Sequence, residues 1–148
     1  MTVRTVLFDL DGTLANNDHR QSLVTGGRKD WEAFFEAQAG DKPNEAVVEL
    51  YKALVELDRF DVLVVTARPE RYRESSERWF QTHKIPVRRL LMRADGDRRS
   101  DSVVKREILL TLKREGATPL FVVDDRKAVV DMWRREGVVC LQCADHDF

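Results

Sequence analysis

Short apolar runs alternate with amphipathic stretches along this 148-residue chain, and that alternation limits the fold more than any other feature. The runs cover residues 3–8, 60–65, 87–92, 120–123 and 138–141; they are rich in β-branched and aromatic residues and bounded by Gly, Pro or Asp. Between them, apolar residues recur at helical spacing: Val47, Val48, Tyr51, Leu54 and Val55, then Tyr72, Trp79 and Phe80, then Val104, Ile108 and Leu112, then Val129, Val130 and Trp133. Pro69 is expected in the first turn of the second of these helices, where a missing N–H does no harm. Strands that alternate with helices build a parallel sheet with both faces covered. The first helix in the chain is expected after Asp30, an N-cap ahead of Trp31, Phe34 and Phe35. Those aromatics pack onto the body, or else form a lid or a stacking surface for a base. Residues 15–29 read as irregular, with Gly26 and Gly27 among them.

A chain of this length, 43% hydrophobic and 34% charged, is expected to form one domain, residues 1–148, and not to be disordered. No apolar run approaches the roughly 18 residues of a membrane helix. The chain enters its first strand without a leader, so the expectation is a cytoplasmic protein with no membrane partner. A net charge of −1 gives no overall field to attract nucleic acid, although Arg88, Arg89, Arg93, Arg98 and Arg99 crowd together, as do Arg126, Lys127, Arg134 and Arg135. Cys140 and Cys143 form a lone C-x-x-C in an apparent strand; without a second cysteine pair or a helix start, they are expected to be reduced thiols.

The ends of the strands carry the chemistry. Asp9 and Asp11 end the first run, Thr66 and Arg68 the second, and Asp124 and Asp125 the fourth. In a parallel sheet these groups emerge on one edge, where open α/β sheets place their ligands. Two acidic pairs there repel unless a cation joins them, and a magnesium ion held by Asp9, Asp124 and Asp125 with the carbonyl of Asp11 meets that need. Lys105 follows Asp101 by four residues, a spacing that pairs the two on one helix face and aims Lys105 at the anionic centre. The same carboxylates do not fit an EF-hand, because the twelfth residue counted from Asp9 is Arg20 where a Glu is required. No G-x-x-x-x-G-K-[ST] loop is present.

Phosphoryl transfer uses such a set. Phosphate-monoester hydrolysis can demand accelerations up to about 10²¹-fold, more than one group supplies. Asp9 is the expected nucleophile, forming an aspartyl-phosphate. Asp11 is the expected acid and base, protonating the leaving oxygen and then activating water. Thr66 and Lys105 are expected at the phosphate oxygens, and Arg68 offers a planar fork to a phosphate or a neighbouring substrate group.

With D-x-D-G-T at residues 9–13, Thr66, Lys105 and Asp124-Asp125 in place, the chain resembles the haloacid dehalogenase superfamily of phosphatases. It resembles most of all the 3′-phosphatase domain of bacteriophage polynucleotide kinase, through residues 96–105, 124–126, 130–138 and 142–148. The resemblance implies a Rossmann-like three-layer sandwich with strand order 5-4-1-2-3 and a minimal cap in residues 15–42. It implies Asp9 as nucleophile, Asp11 as acid and base, and Arg68, Asp101, Lys105, Asp124 and Asp125 as essential partners. It also implies that Arg98 or Arg126 holds substrate. The expected activity is that of a magnesium-dependent phosphomonoesterase on the 3′-phosphate end of DNA or RNA, or on a phosphorylated nucleotide, with a separate kinase or ligase as partner. Two other readings stand beside it: a phosphatase of nucleoside monophosphates, and a non-catalytic phosphate-binding module partnered with a kinase.

Overall fold

Successive residues of a strand point to opposite faces, and the first strand feeds a separate core on each. The computed structural model describes residues 3–147, so Phe148, on which part of the resemblance rests, lies outside the described residues. Along the chain the elements run β1 (Thr5–Phe8), β2 (Ala15–Asn16), α1 (Trp31–Glu36), β3 (Lys42–Pro43), α2 (Glu45–Leu57) and β4 (Asp61–Pro69). There follow α3 (Arg73–Thr82), β5 (Leu90–Arg93), α4 (Asp101–Arg114), β6 (Pro119–Arg126), α5 (Lys127–Arg135) and β7 (Val139–His146). Val6 and Phe8 of β1 join Val62 and Val64 of β4 against Phe34, Tyr51, Trp79 and Phe80. Leu7, Leu63, Val65 and Val122 face the other way, onto Leu109, Leu112, Val130 and Trp133. Helices therefore cover both faces of the sheet.

The five-stranded sheet has the order β5-β4-β1-β6-β7, and every pairing in it is parallel. With the two-residue strands β2 and β3 set aside, this is the expected 5-4-1-2-3 order. Phe8 is in register with Val64 on one side and Val123 on the other, so one further residue brings Asp9 level with Asp124. That register places the site.

Several boundaries differ from expectation. Val3 is exposed and precedes β1. Pro69 closes β4, and a 3₁₀ turn over Glu70–Tyr72 leads into α3. The third sheet strand begins at Leu90, not at residue 87. Ser100 stands at the N-cap of α4 and Asp101 is its first residue, with its carboxylate bonded to Arg93 and Arg126. The last strand continues to His146, well past Leu141. The Asp30 cap is as expected: its carboxylate accepts from the Ala33 N–H at 3.0 Å. Residues 18–23, expected to be irregular, form a 3₁₀ turn. Cys140 and Cys143 are both free thiols.

Candidate active site

The D-x-D-G-T loop turns back sharply after β1. Gly12 has φ +84°, and a Cβ there would lie 2.1 Å from Asp125 Oδ2, so this position needs glycine on both counts. Thr13, fully buried beneath the loop, donates its hydroxyl to Asp9 Oδ2 at 2.8 Å and approaches Asp125 Oδ1 at 3.3 Å. Consecutive residues of a regular strand would face opposite ways, but the pairing of β6 with β7 shifts register between Asp124 and Arg126. Both Asp124 and Asp125 consequently reach Asp9, and the three buried carboxylates each bring an oxygen within 4.8 Å of the others.

Lys105 answers part of this charge. Its Nζ donates to Asp9 Oδ1 at 2.7 Å and to Asp124 Oδ2 at 2.9 Å. Burial works against its charge, but Asp124 and Asp9 hold the ammonium well above the usual lysine range. One ammonium among three carboxylates leaves excess negative charge, and the acids record it. Burial, with Asp124 alongside, pushes the Asp9 carboxyl well above its ordinary value. Burial and Asp124 likewise raise Asp125 to about 7. Hard, clustered carboxylate oxygens with unneutralised charge fit a small divalent cation such as magnesium. Trp133 Nε1 donates to Asp124 Oδ2, and His146 Nδ1 lies 2.5 Å from Asp125 Oδ2, so these acids are also oriented from behind.

Asp11 turns away from this cluster. Its carboxylate is gripped by Arg68, through Nε at 2.9 Å and Nη2 at 2.6 Å, and by Arg20 Nη2. Despite burial, the charges of Arg68 and Arg20 hold the Asp11 carboxyl well below the usual range. Arg20 is also bonded to Asp41 and to the Phe34 carbonyl, with its guanidinium 4.2 Å from the Phe34 ring centroid. Arg68 was expected to offer its fork to substrate. Here it is fully buried, and the rest of the fork goes to Gln38 Oε1 and Ser76 Oγ. Thr66 is buried too; its hydroxyl accepts the Arg68 N–H, and the neighbouring Ala67 lines the pocket in its place.

The expected Asp101–Lys105 pair is absent among the described residues. Asp101 instead accepts from Arg93 Nη2 at 2.7 Å and Arg126 Nη1 at 2.6 Å. The deeper, less solvated carboxylates of Asp9 and Asp124 attract the ammonium more strongly than Asp101 at the helix start. Arg126 also lies over the Trp31 ring, 5.4 Å from its centroid, and Arg98 is exposed. The pocket formed by these groups has a volume of about 30 Å³, and its lining includes Asp9, Asp11, Lys105, Asp124 and Asp125 together with Trp31 and Phe35. Phe34 and Phe35 pack into the core with Trp31 against them, as the first of the two expectations has it, and all three also line the pocket. Arg20, Gln38, Asp41, Arg93 and His146 were not foreseen. The C-terminal resemblance over residues 142–148 bears on His146, the cap segment 15–42 contains Arg20, Gln38 and Asp41, and Arg93 stands in the basic cluster, but none of these signals names a partner.

Acidic side chains from two adjacent strand ends, a lysine from a helix and a parallel Rossmann-like sheet define a phosphatase of the haloacid dehalogenase superfamily. The chain belongs to the polynucleotide kinase PNKP phosphatase domain family, which it matches over residues 3–148. It is 32% identical to a chain of the Pnkp1/Rnl/Hen1 complex, with a TM-score of 0.83, over 99% of its own length and 48% of that chain. A second structure, of the Pnkp1/Rnl/Hen1 RNA repair complex, matches at 32% identity and TM-score 0.81 over 99% of this chain and 44% of the other. The chain therefore spans about half the length of those proteins. A haloacid dehalogenase-like hydrolase from Streptococcus pneumoniae shares the fold, at 11% identity and TM-score 0.64, over 95% of this chain and 84% of that one. Among the described residues, no helix is long and apolar enough to cross a membrane.

Proposed function

We propose that this phosphatase removes the 3′-phosphate from nucleic-acid ends during RNA repair, using magnesium and an aspartyl-phosphate on Asp9. The observation that carries the reading is the convergence of Asp9, Asp124, Asp125 and Lys105 at the base of one narrow pocket. Asp9, Asp124 and Asp125 would hold the cation, with the Asp11 carbonyl as a further oxygen donor. Once bound, it would neutralise phosphate charge and draw the ester toward the nucleophile.

Asp9 attacks phosphorus as the ester P–O bond breaks, and Asp11 supplies the proton to the leaving oxygen. Asp11 then takes a proton from water as that water attacks the aspartyl-phosphate, releasing inorganic phosphate and restoring Asp9. In the arrangement described above Asp11 is an ionised base, and to donate it must first take up a proton and turn from Arg20 toward the pocket it already lines. Lys105 offers its ammonium to the transferring oxygens. Thr66 supports the Arg68 backbone, Arg68 positions Asp11, and Asp101 holds Arg126 at the mouth. Arg126 and Arg98 would meet the substrate. Residues 15–42 act as a small cap, since Arg20, Phe34 and Gln38 all come from this segment.

Repair is inferred from the RNA repair complex that the 32%-identical chain comes from, and a ligase or kinase is the partner this suggests. Phosphate release across 3′- and 5′-phosphorylated nucleotides and oligonucleotides tests the proposal. The expected result is magnesium-dependent release from 3′-phosphates. Equal release from 5′-phosphates and simple nucleoside monophosphates would favour a small-molecule phosphatase.

A further inference from the structure

We propose that Gln21 and His146 are positioning residues for the cation site: Gln21 fixes the tautomer of His146, and His146 holds Asp125 ready as a ligand. This rests on the magnesium reading above and gives the cap a share in it, because Gln21 belongs to the 3₁₀ turn over Asp18–Leu23. The three acids of the cluster are not held alike. Lys105 donates to Asp9 and to Asp124, and Trp133 brings a second N–H to Asp124. Neither group donates to Asp125 among the described residues. Its Oδ1 lies 3.3 Å from the Thr13 hydroxyl, whose single proton is given to Asp9 at 2.8 Å. Asp125 therefore depends on His146, whose Nδ1 stands 2.5 Å from its Oδ2.

The backbone is arranged for that contact. Asp124 pairs with Gln142 and Arg126 with His146, so β7 spends more residues than β6 over this step, and the slip leaves the imidazole beside Asp125. Gly12 gives the ring its room, since a Cβ there would come within 3.1 Å of His146 Nδ1. The far nitrogen of the ring, Nε2, meets Gln21 Nε2 at 3.3 Å. An amide nitrogen can only donate. That of Gln21 also faces Asn17 Oδ1 at 2.9 Å and Asp18 Oδ1 at 3.4 Å, both acceptors, which sets the amide's orientation. His146 Nε2 must then accept, and the ring proton sits on Nδ1, directed at Asp125. The opposite tautomer would set an imidazole lone pair against a carboxylate. A donor fixed in this way keeps a ligating carboxylate from swinging out of its place before the metal arrives.

The test is calorimetric titration of magnesium into the substrate-free protein, native and as His146→Leu, His146→Asn and Gln21→Leu, with the metal-free melting midpoint of each. The Asn side-chain nitrogen is as many bonds from the backbone as Nδ1 and can donate to Asp125 in its stead; Leu cannot. His146→Leu should raise the magnesium Kd by about 10- to 100-fold, and Gln21→Leu should raise it several-fold. His146→Asn should recover most of the affinity. A native-like Kd in His146→Leu would overturn the proposal and leave the magnesium site standing. Equal losses of affinity in the Leu and Asn variants, alongside equal falls in metal-free melting midpoint, would reduce His146 to a packing role and overturn it too. No magnesium binding by the native protein would overturn the magnesium reading itself, and this relay with it.

Discussion

Lys105 Nζ lies 2.7 Å from Asp9 Oδ1, although the two residues are 96 positions apart in the chain. The contact joins α4 to the end of β1 across the sheet edge, and it ties Asp9 to a group that also holds Asp124. Because burial raises the carboxyls of Asp9 and Asp125, the cluster is poised for a stronger cation than one ammonium.

Asp9→Asn should abolish phosphate release while leaving the fold intact, because the amide cannot form the acyl phosphate. Removing one of several mutually repelling carboxylates should leave the metal-free melting midpoint within a few degrees of native. Circular dichroism and aryl phosphate assays check this, and substantial residual turnover would rule out Asp9 as nucleophile.

Chelation of divalent metal should stop turnover, and addition of magnesium should restore it. At a magnesium concentration about 100 times its Kd, binding should stabilise the protein by about 2.7 kcal/mol, on the order of 5–10 °C in melting midpoint. Asp124→Asn and Asp125→Asn should lose most of that shift. An unchanged midpoint with magnesium in the native protein would count against the cation site.

Arg20→Ala should destabilise the protein by about 3–5 kcal/mol, since it leaves buried Asp41 and the Asp11 carboxylate short of a cation. Arg20→Lys should recover part of the loss. Asp11→Asn should slow poor leaving groups far more than good ones, as expected for loss of a proton donor. Denaturant melts and a series of aryl esters distinguish the two effects.

The Tyr51 hydroxyl donates to the Pro86 carbonyl at 2.6 Å, and burial raises its pKa from about 10 to about 12. The folded state thus holds the proton more tightly than the unfolded chain. The resulting stability is fully present below pH 10 and is lost as pH rises toward 12. Tyr51→Phe should cost about 1 kcal/mol at neutral pH and flatten that alkaline loss. Unfolding curves from pH 8 to 11 check it.

The sheet was legible because β-branched runs such as residues 62–65 have few alternatives to a buried strand, and the D-x-D-G-T loop announced the edge where ligands meet. The Asp101–Lys105 spacing misled, because an i, i+4 pair is worth only a few tenths of a kcal/mol and the buried acids of distant strands outweigh it. Arg20 and Asp41 come from a segment with no periodicity, and nothing local marks them as partners of Asp11. His146 escaped because the polar alternation after Leu141 hides a continuing strand.

Arg93 has a consequence for how such an enzyme changes over time. Its guanidinium grips the carbonyls of Ala67, Asp97 and Arg99 as well as Asp101, so the loop before α4 is anchored largely through main-chain oxygens that every residue type carries. Outward-pointing positions such as Arg98 can be exchanged without loosening that anchor. Exchanges there leave Asp9, Lys105 and Asp124 where they are.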